Sequence, residues 1–245
     1  LMKICLILCL SKYYHRVSID NINSLRFLFT PIAALILPVV LVIIQPDLGT
    51  SLLIAAGGIS VVWLAGVRLK FFLYAFLGFL ALLPIAISFL KPYQKSRILT
   101  FLNPDRDPLG AGYQIIQSKI AIGSGGLFGK GFLNGSQGYL DYLPEKHTDF
   151  IFTLFSEEFG FFGSTFILFL YALIISRIIK IGNLTKSNFG KLYCYSFATA
   201  FFVYVTVNMG MVLGLLPIVG SPLPIMSYGG SSMLAIMLGL GIAMS

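Results

Sequence analysis

Five stretches of this chain, residues 27–44, 51–67, 71–90, 150–175 and 192–216, are dominated by apolar side chains, and a sixth begins at Tyr228. Four of the five hold no charged residue at all. A bilayer core is crossed by about 20 helical residues, and without water inside it a spanning segment must satisfy its own backbone hydrogen bonds. The runs therefore predict an all-α polytopic membrane protein. Composition agrees: 57% of the 245 residues are hydrophobic and 11% charged, with a mean hydropathy of +0.90. A soluble domain carries about a quarter charged residues, so an ordinary cytosolic enzyme is excluded. Intrinsic disorder is excluded by the same apolar content.

Residues 1–10 are apolar but too few to span, and read as the tail of a helix that begins before Leu1. The chain is thus expected to be a fragment, one membrane domain over residues 1–245. Pro31 and Pro38 predict a kinked first span, and Trp63 sits at an interfacial depth. Cys5, Cys9 and Cys194 lie in apolar runs and read as small core hydrophobes. Basic residues orient the bundle, because short cytoplasmic loops collect Lys and Arg. Walking the spans alternately puts residues 11–26, the Arg68 turn and the basic loop 176–191 on the cytoplasmic side. The opposite side receives the Asp47 turn, the long segment 91–148 and the turn 217–227, which has no Lys or Arg.

The net charge of +8 does not read as nucleic-acid binding once position is considered. Five of the nine acids, Asp105, Asp107, Asp141, Glu145 and Asp149, fall in or at the end of the long outer segment. They interleave with Lys91, Lys95, Arg97, Arg106, Lys119, Lys130 and Lys146. Mixed charge on one face suggests a polar cavity, whereas a lipid-surface patch would be mostly basic; a merely solvated loop is the plain alternative. Within it, residues 113–122 predict a short amphipathic helix, lying in the membrane interface or packed on protein, with Tyr113, Ile116 and Ile120 on one face and Gln114, Gln117 and Ser118 on another. The glycine-rich run 123–131 could turn backbone amides toward an anionic group, although its spacing is not that of a P-loop.

The densest cluster is Glu145, Lys146, His147, Thr148 and Asp149, at the start of the fourth span. A carboxylate there can cap the helix, or it can take a proton from a substrate hydroxyl at the rim of a membrane cavity. Glu157, Glu158 and Asn208 are polar inside apolar runs, and at least one Glu is expected to face inward. The tract from Gly214 through Ser232 predicts irregular backbone that protein or a cavity must cover.

Four strings carry a family resemblance: Gln45-Pro46-Asp47-Leu48-Gly49-Thr50; residues 107–127 with Asp107-Pro108-Leu109-Gly110-Ala111-Gly112-Tyr113; Leu143-Pro144-Glu145-Lys146-His147-Thr148-Asp149-Phe150-Ile151-Phe152; and the 210–232 tract. Together they make the chain resemble the SEDS family of bacterial cell-envelope proteins (RodA, FtsW, SpoVE), most of all its elongation-associated RodA branch. The resemblance implies a SEDS-type bundle of about ten helices, of which this chain would hold about six to seven, with residues 91–149 as an extracytoplasmic catalytic loop. It implies a peptidoglycan glycosyltransferase of the bacterial cytoplasmic membrane, joining lipid II units at the outer face for cell elongation. Asp149 matches the family's proposed catalytic acid, Asp47 a second functional outer-face acid, and Lys3 a cavity lysine. Candidates for the remaining substrate contacts are Arg97, Lys119, Lys130, Glu145 and His147. A divalent cation (Mg or Mn) could assist the departing pyrophosphate, and a class B penicillin-binding protein transpeptidase is the implied partner. Competing readings are a lipid-linked precursor flippase and a non-enzymatic scaffold for that transpeptidase.

Overall fold

A computed structural model describes residues 2–18, 21–45, 47–89, 95–96, 99–101, 103, 110–136 and 147–245. In chain order its long helices are α1 (Met2–Arg16), α2 (Leu25–Ile44), α3 (Leu48–Leu64), α4 (Leu69–Phe89), α5 (Ala111–Gly125), α6 (Ile151–Leu184), α7 (Asn188–Val212) and α8 (Gly230–Met244). There is no strand among the described residues. Three helical stretches, Arg26–Ile44, Ile151–Leu184 and Asn188–Val212, are long and apolar enough to cross a membrane. The shorter apolar helices Leu48–Leu64, Leu69–Leu82 and Gly230–Met244 accompany them. The expected helical membrane protein is what the chain forms.

Two compact units are distinguished, one of Leu1–Phe89, Ile175–Val203 and Met233–Ser245, the other of Leu90–Ile174 and Tyr204–Ser232. In the first, α1, α2 and α3 pack on one another. α3 starts at an N-cap, Asp47, whose side chain accepts from the Thr50 amide at 3.0 Å, relieving one of the orphan donors of the first turn. A small face on α3 permits the close packing: a Cβ on Gly58 would stand 2.3 Å from Leu35 Cδ1 and 3.2 Å from Leu6 Cδ2. Small residues let membrane helices approach where lipid gives no hydrophobic drive. Within α7 the rings of Phe189, Tyr193, Phe197 and Phe201 follow at four-residue spacing, each against the next. The Tyr193 hydroxyl donates to the Gly239 carbonyl of α8 at 2.8 Å.

Several expectations are corrected here. The loop expected at 176–191 is mostly helix, because α6 runs on to Leu184 and α7 begins at Asn188. Only Cys194 is buried; Cys5 and Cys9, one turn apart, lie exposed on α1, since the inward side of that helix is taken by Ile4, Ile7, Leu10, Ser11 and Tyr14. On α5 the packed face is Gly112, Ile115, Ser118, Ala121 and Gly125, while Ile120 is exposed. The apolar face of Tyr113, Ile116 and Ile120 is half-buried to exposed. Inside a membrane bundle, size and hydrogen-bond partners select the contact face more strongly than apolarity does.

Candidate functional site

Serine 118 ties the second unit together. Its hydroxyl donates to the Val212 carbonyl at the end of α7 at 2.7 Å, and lies 2.9 Å from Thr153 Oγ1 on α6. With the Ser118 hydrogen committed to Val212, Thr153 is the donor in that pair. Ser118 and Thr153 are both fully buried. Three helix segments therefore meet at one polar point, which fixes the start of α6 against the end of α7.

Asp149 stands two residues before the first helical residue of α6 and is half-buried. Its backbone is held in a way the sequence did not announce. Three successive carbonyls each accept a hydrogen bond from the 208–228 region: His147 O from the Tyr228 amide at 2.9 Å, Thr148 O from Ser227 Oγ at 2.6 Å, and Asp149 O from Asn208 Nδ2 at 2.9 Å. Ser227 Oγ also accepts from the Leu223 amide at 2.7 Å, and Asn208 Nδ2 donates again, to Ser221 O at 2.7 Å. The Asp149 carboxylate rests against the chain opposite: a Cβ on Gly220 would stand 3.5 Å from its Oδ2. Gly220 has φ +69, a conformation that glycine adopts without steric cost.

The tract 213–229 is irregular, as expected, and protein covers part of it: Ile218, Ser221, Leu223 and Ser227 are buried, whereas Leu213, Leu215, Leu216 and Tyr228 are exposed. Tyr171 grips it through a 2.6 Å hydrogen bond to Pro224 O. Next to that grip Ile225 sits at φ +69. For a β-branched residue this backbone is strained, and such strain persists only where the surroundings over-determine it.

A second polar centre lies at Glu157, which is fully buried and ion-paired to Lys130 at 2.7 Å. Ser136 Oγ closes the triangle, receiving from Lys130 Nζ at 2.8 Å and donating to Glu157 Oε1 at 3.0 Å. The expectation of an inward-facing Glu is met by Glu157. Lys130, expected to grip a substrate anion, is here the counter-ion of that carboxylate.

Beside this pair α6 is broken. Gly160 has φ 66 and ψ −161, which interrupts the helical ladder. The glycine-rich run repairs the break: the Lys130 and Gly131 amides donate to the carbonyls of Glu157 and Glu158, each at 3.0 Å. In return, the Phe161 and Phe162 amides donate to Gly126 O and Leu127 O at 2.9 and 3.2 Å. A Cβ on Gly129 would stand 2.0 Å from Glu158 O, so no other residue fits there. Of the amides expected to cradle an anion in residues 123–131, those of Lys130 and Gly131 are thus committed to protein carbonyls. The Gly129 amide also has a partner, Gly125 O at 2.8 Å, and amides committed to carbonyls are not offered to a ligand.

The remaining candidates are separate. Lys119 is exposed on α5, its Cε and Nζ lying where a Cβ on Gly214 would meet them at 2.3 and 2.8 Å. This puts its charge by the C-terminal end of α7, where a helix favours a cation. His147 is exposed and contributes its carbonyl to the clamp. In the other unit, Asp47 is exposed at the start of α3, and Lys3 is half-buried in the first turn of α1. Arg97 and Glu145 lie outside the described residues. Asn208 and Ser227, central to the clamp, were visible in the sequence only as polar residues in apolar surroundings. Among the described residues no three His, Cys, Asp or Glu side chains gather as a metal cage.

Comparison with known proteins now adds to this geometry. "Peptidoglycan glycosyltransferase MrdB" of Escherichia coli (strain K12) is 48% identical over 223 residues, 91% of this chain and 60% of that protein. "Stage V sporulation protein E" of Bacillus subtilis (strain 168) is 38% identical over 246 residues, 100% of this chain and 66% of that protein. A chain from a solved structure described as "Structural coordination of polymerization and crosslinking by a peptidoglycan synthase complex" superposes with a TM-score of 0.79 at 36% identity, covering 98% of this chain and 66% of that one. The chain thus spans about three fifths of the length of MrdB. The family model FTSW_RODA_SPOVE, described as "Cell cycle protein", matches residues 1–245, and the chain belongs to that FtsW/RodA/SpoVE family.

Proposed function

We propose that this chain is the greater part of a peptidoglycan glycosyltransferase that polymerises lipid II on the outer face of the bacterial cytoplasmic membrane, with Asp149 as general base. The observation that carries the reading is the clamp on residues 147–149: three consecutive carbonyls are held and the carboxylate is set against Gly220. A base must be presented at fixed geometry to a hydroxyl for proton transfer to help in the transition state. Further support comes from the names of MrdB and of the synthase-complex structure.

The donor sugar of lipid II is α-linked to undecaprenyl pyrophosphate and the product is β-1,4-linked, so the transfer inverts at the anomeric carbon. In this reading the Asp149 carboxylate takes the proton of the acceptor 4-hydroxyl. The oxygen–carbon bond forms on the opposite face as the bond to pyrophosphate breaks, and undecaprenyl pyrophosphate leaves with the bonding pair. Lys119, Arg97 and Lys130 are candidate partners for that growing negative charge, with Asp47, Lys3, Glu145 and His147 as further substrate contacts. Lys130 would serve only if substrate draws it from Glu157. A class B penicillin-binding protein is the proposed partner, crosslinking what the polymerase extends.

The test is polymerisation of lipid II by the purified full-length protein. Asp149→Asn is expected to lower turnover by about 10²-fold or more, the usual contribution of a positioned base. Normal turnover in that variant would remove the general-base assignment. Lipid II translocation in proteoliposomes without polymer would favour a flippase instead.

A further inference from the structure

Among the residues around Asp149, Asn208 is the most costly to keep. It is fully buried in the apolar α7, where a leucine would satisfy packing. Its Oδ1 has no hydrogen-bond partner among the described residues, and neither does the hydroxyl of Ser221 beside it. A buried acceptor without a protein partner works against stability. What the amide supplies in return is its Nδ2, which donates to Asp149 O at 2.9 Å and to Ser221 O at 2.7 Å. Both partners are carbonyls, so the amide can face them only with its nitrogen.

Those two carbonyls belong to the two sides of the carboxylate. One is the peptide of Asp149 itself; the other follows Gly220, where an added Cβ would stand 3.5 Å from Asp149 Oδ2. A single planar amide thus sets the spacing between the base and the surface it rests on. We propose that Asn208 is the positioning residue of Asp149, acting on catalysis through these two bonds without touching substrate. The proposal rests on the general-base reading above.

The experiment measures lipid II polymerisation by the full-length protein, with substrate binding and thermal unfolding followed in parallel. Asn208→Leu, which removes both donations, is expected to lower kcat per folded molecule about 10- to 100-fold while KM stays within about twofold, the folded fraction being taken from the unfolding measurement. Asn208→Asp should be intermediate. Between two carbonyls its new carboxyl is held neutral and retains one donation, so its rate should fall with rising pH where the unsubstituted enzyme shows no such limb. If Asn208→Leu does not fold, Asn208→Asp decides: the pH limb supports the proposal, and an unchanged rate at every pH overturns it. Normal kcat in Asn208→Leu, or a fall explained wholly by KM or by lost folded protein, also overturns it. Normal turnover in Asp149→Asn would remove the base reading and this proposal together. An inactive Asp149→Asn alongside a fully active Asn208→Leu would remove this proposal alone.

Discussion

Two irregular segments of the second unit use backbone hydrogen bonds in opposite ways. Residues 125–131 spend their amides and carbonyls closing the break at Gly160, with four hydrogen bonds to residues 157–162. In residues 208–228 three donors, Asn208 Nδ2, Ser227 Oγ and the Tyr228 amide, go instead to the three carbonyls that carry Asp149. The first segment makes a discontinuous helix tolerable in a low-dielectric setting. The second sacrifices regular structure, accepts strain at Ile225, and immobilises one carboxylate. Glycine content alone does not tell these roles apart; what distinguishes them is whose orphan groups are answered.

Substitutions can break or sharpen that contrast, ranked by their expected effect on stability. Lys130→Met leaves the fully buried Glu157 without its counter-ion and should cost about 3 kcal/mol. Adding Glu157→Leu should recover most of it, measured as the thermal midpoint of purified protein. A double variant as unstable as the single one would show that the loss is not a stranded charge. Ser227→Ala removes the donor to Thr148 O and the acceptor of the Leu223 amide. A loss of about 1–2 kcal/mol is expected, together with a several-fold fall in turnover, because the clamp serves the carboxylate as well as the fold. If stability falls and turnover per folded molecule does not, the clamp is only architectural. Asp47→Asn keeps an acceptor for the Thr50 amide, so stability should stay within about 0.5 kcal/mol. Turnover should still fall about tenfold, equivalent to ~1.4 kcal/mol in the barrier, if the charge at that position serves substrate. Unchanged polymerisation would reduce Asp47 to a helix cap.

The spans were legible because apolar length is a local property, and the helices of the structure follow the apolar runs. Asp149 was legible from its cluster and the family strings around it. The clamp was not: Asn208 and Asp149 are 59 positions apart, and only the fold tells which carbonyls Asn208 meets. The glycine run was misread for a related reason. Its amides were visible as donors, but the demand for them arises at a helix break about 30 residues later, and nothing local to the run reveals it. That at least one of Glu157 and Glu158 faces inward was readable because an intramembrane carboxylate must find a partner, whereas which one, and Lys130 as its partner, was not. On α5, polarity alone did not reveal the contact face, since Ser118 is buried with its hydroxyl in two contacts.

The repaired break at Gly160 bears on how this chain can vary. Ordinary surface connections absorb added or lost residues with little effect. Here residues 126, 127, 130 and 131 must each meet a fixed partner on α6. One residue inserted among them would put every downstream group out of step, uncover backbone polarity within a membrane-length helix, and pull Lys130 away from Glu157. This short connector should therefore be as intolerant of length change as the helix it mends.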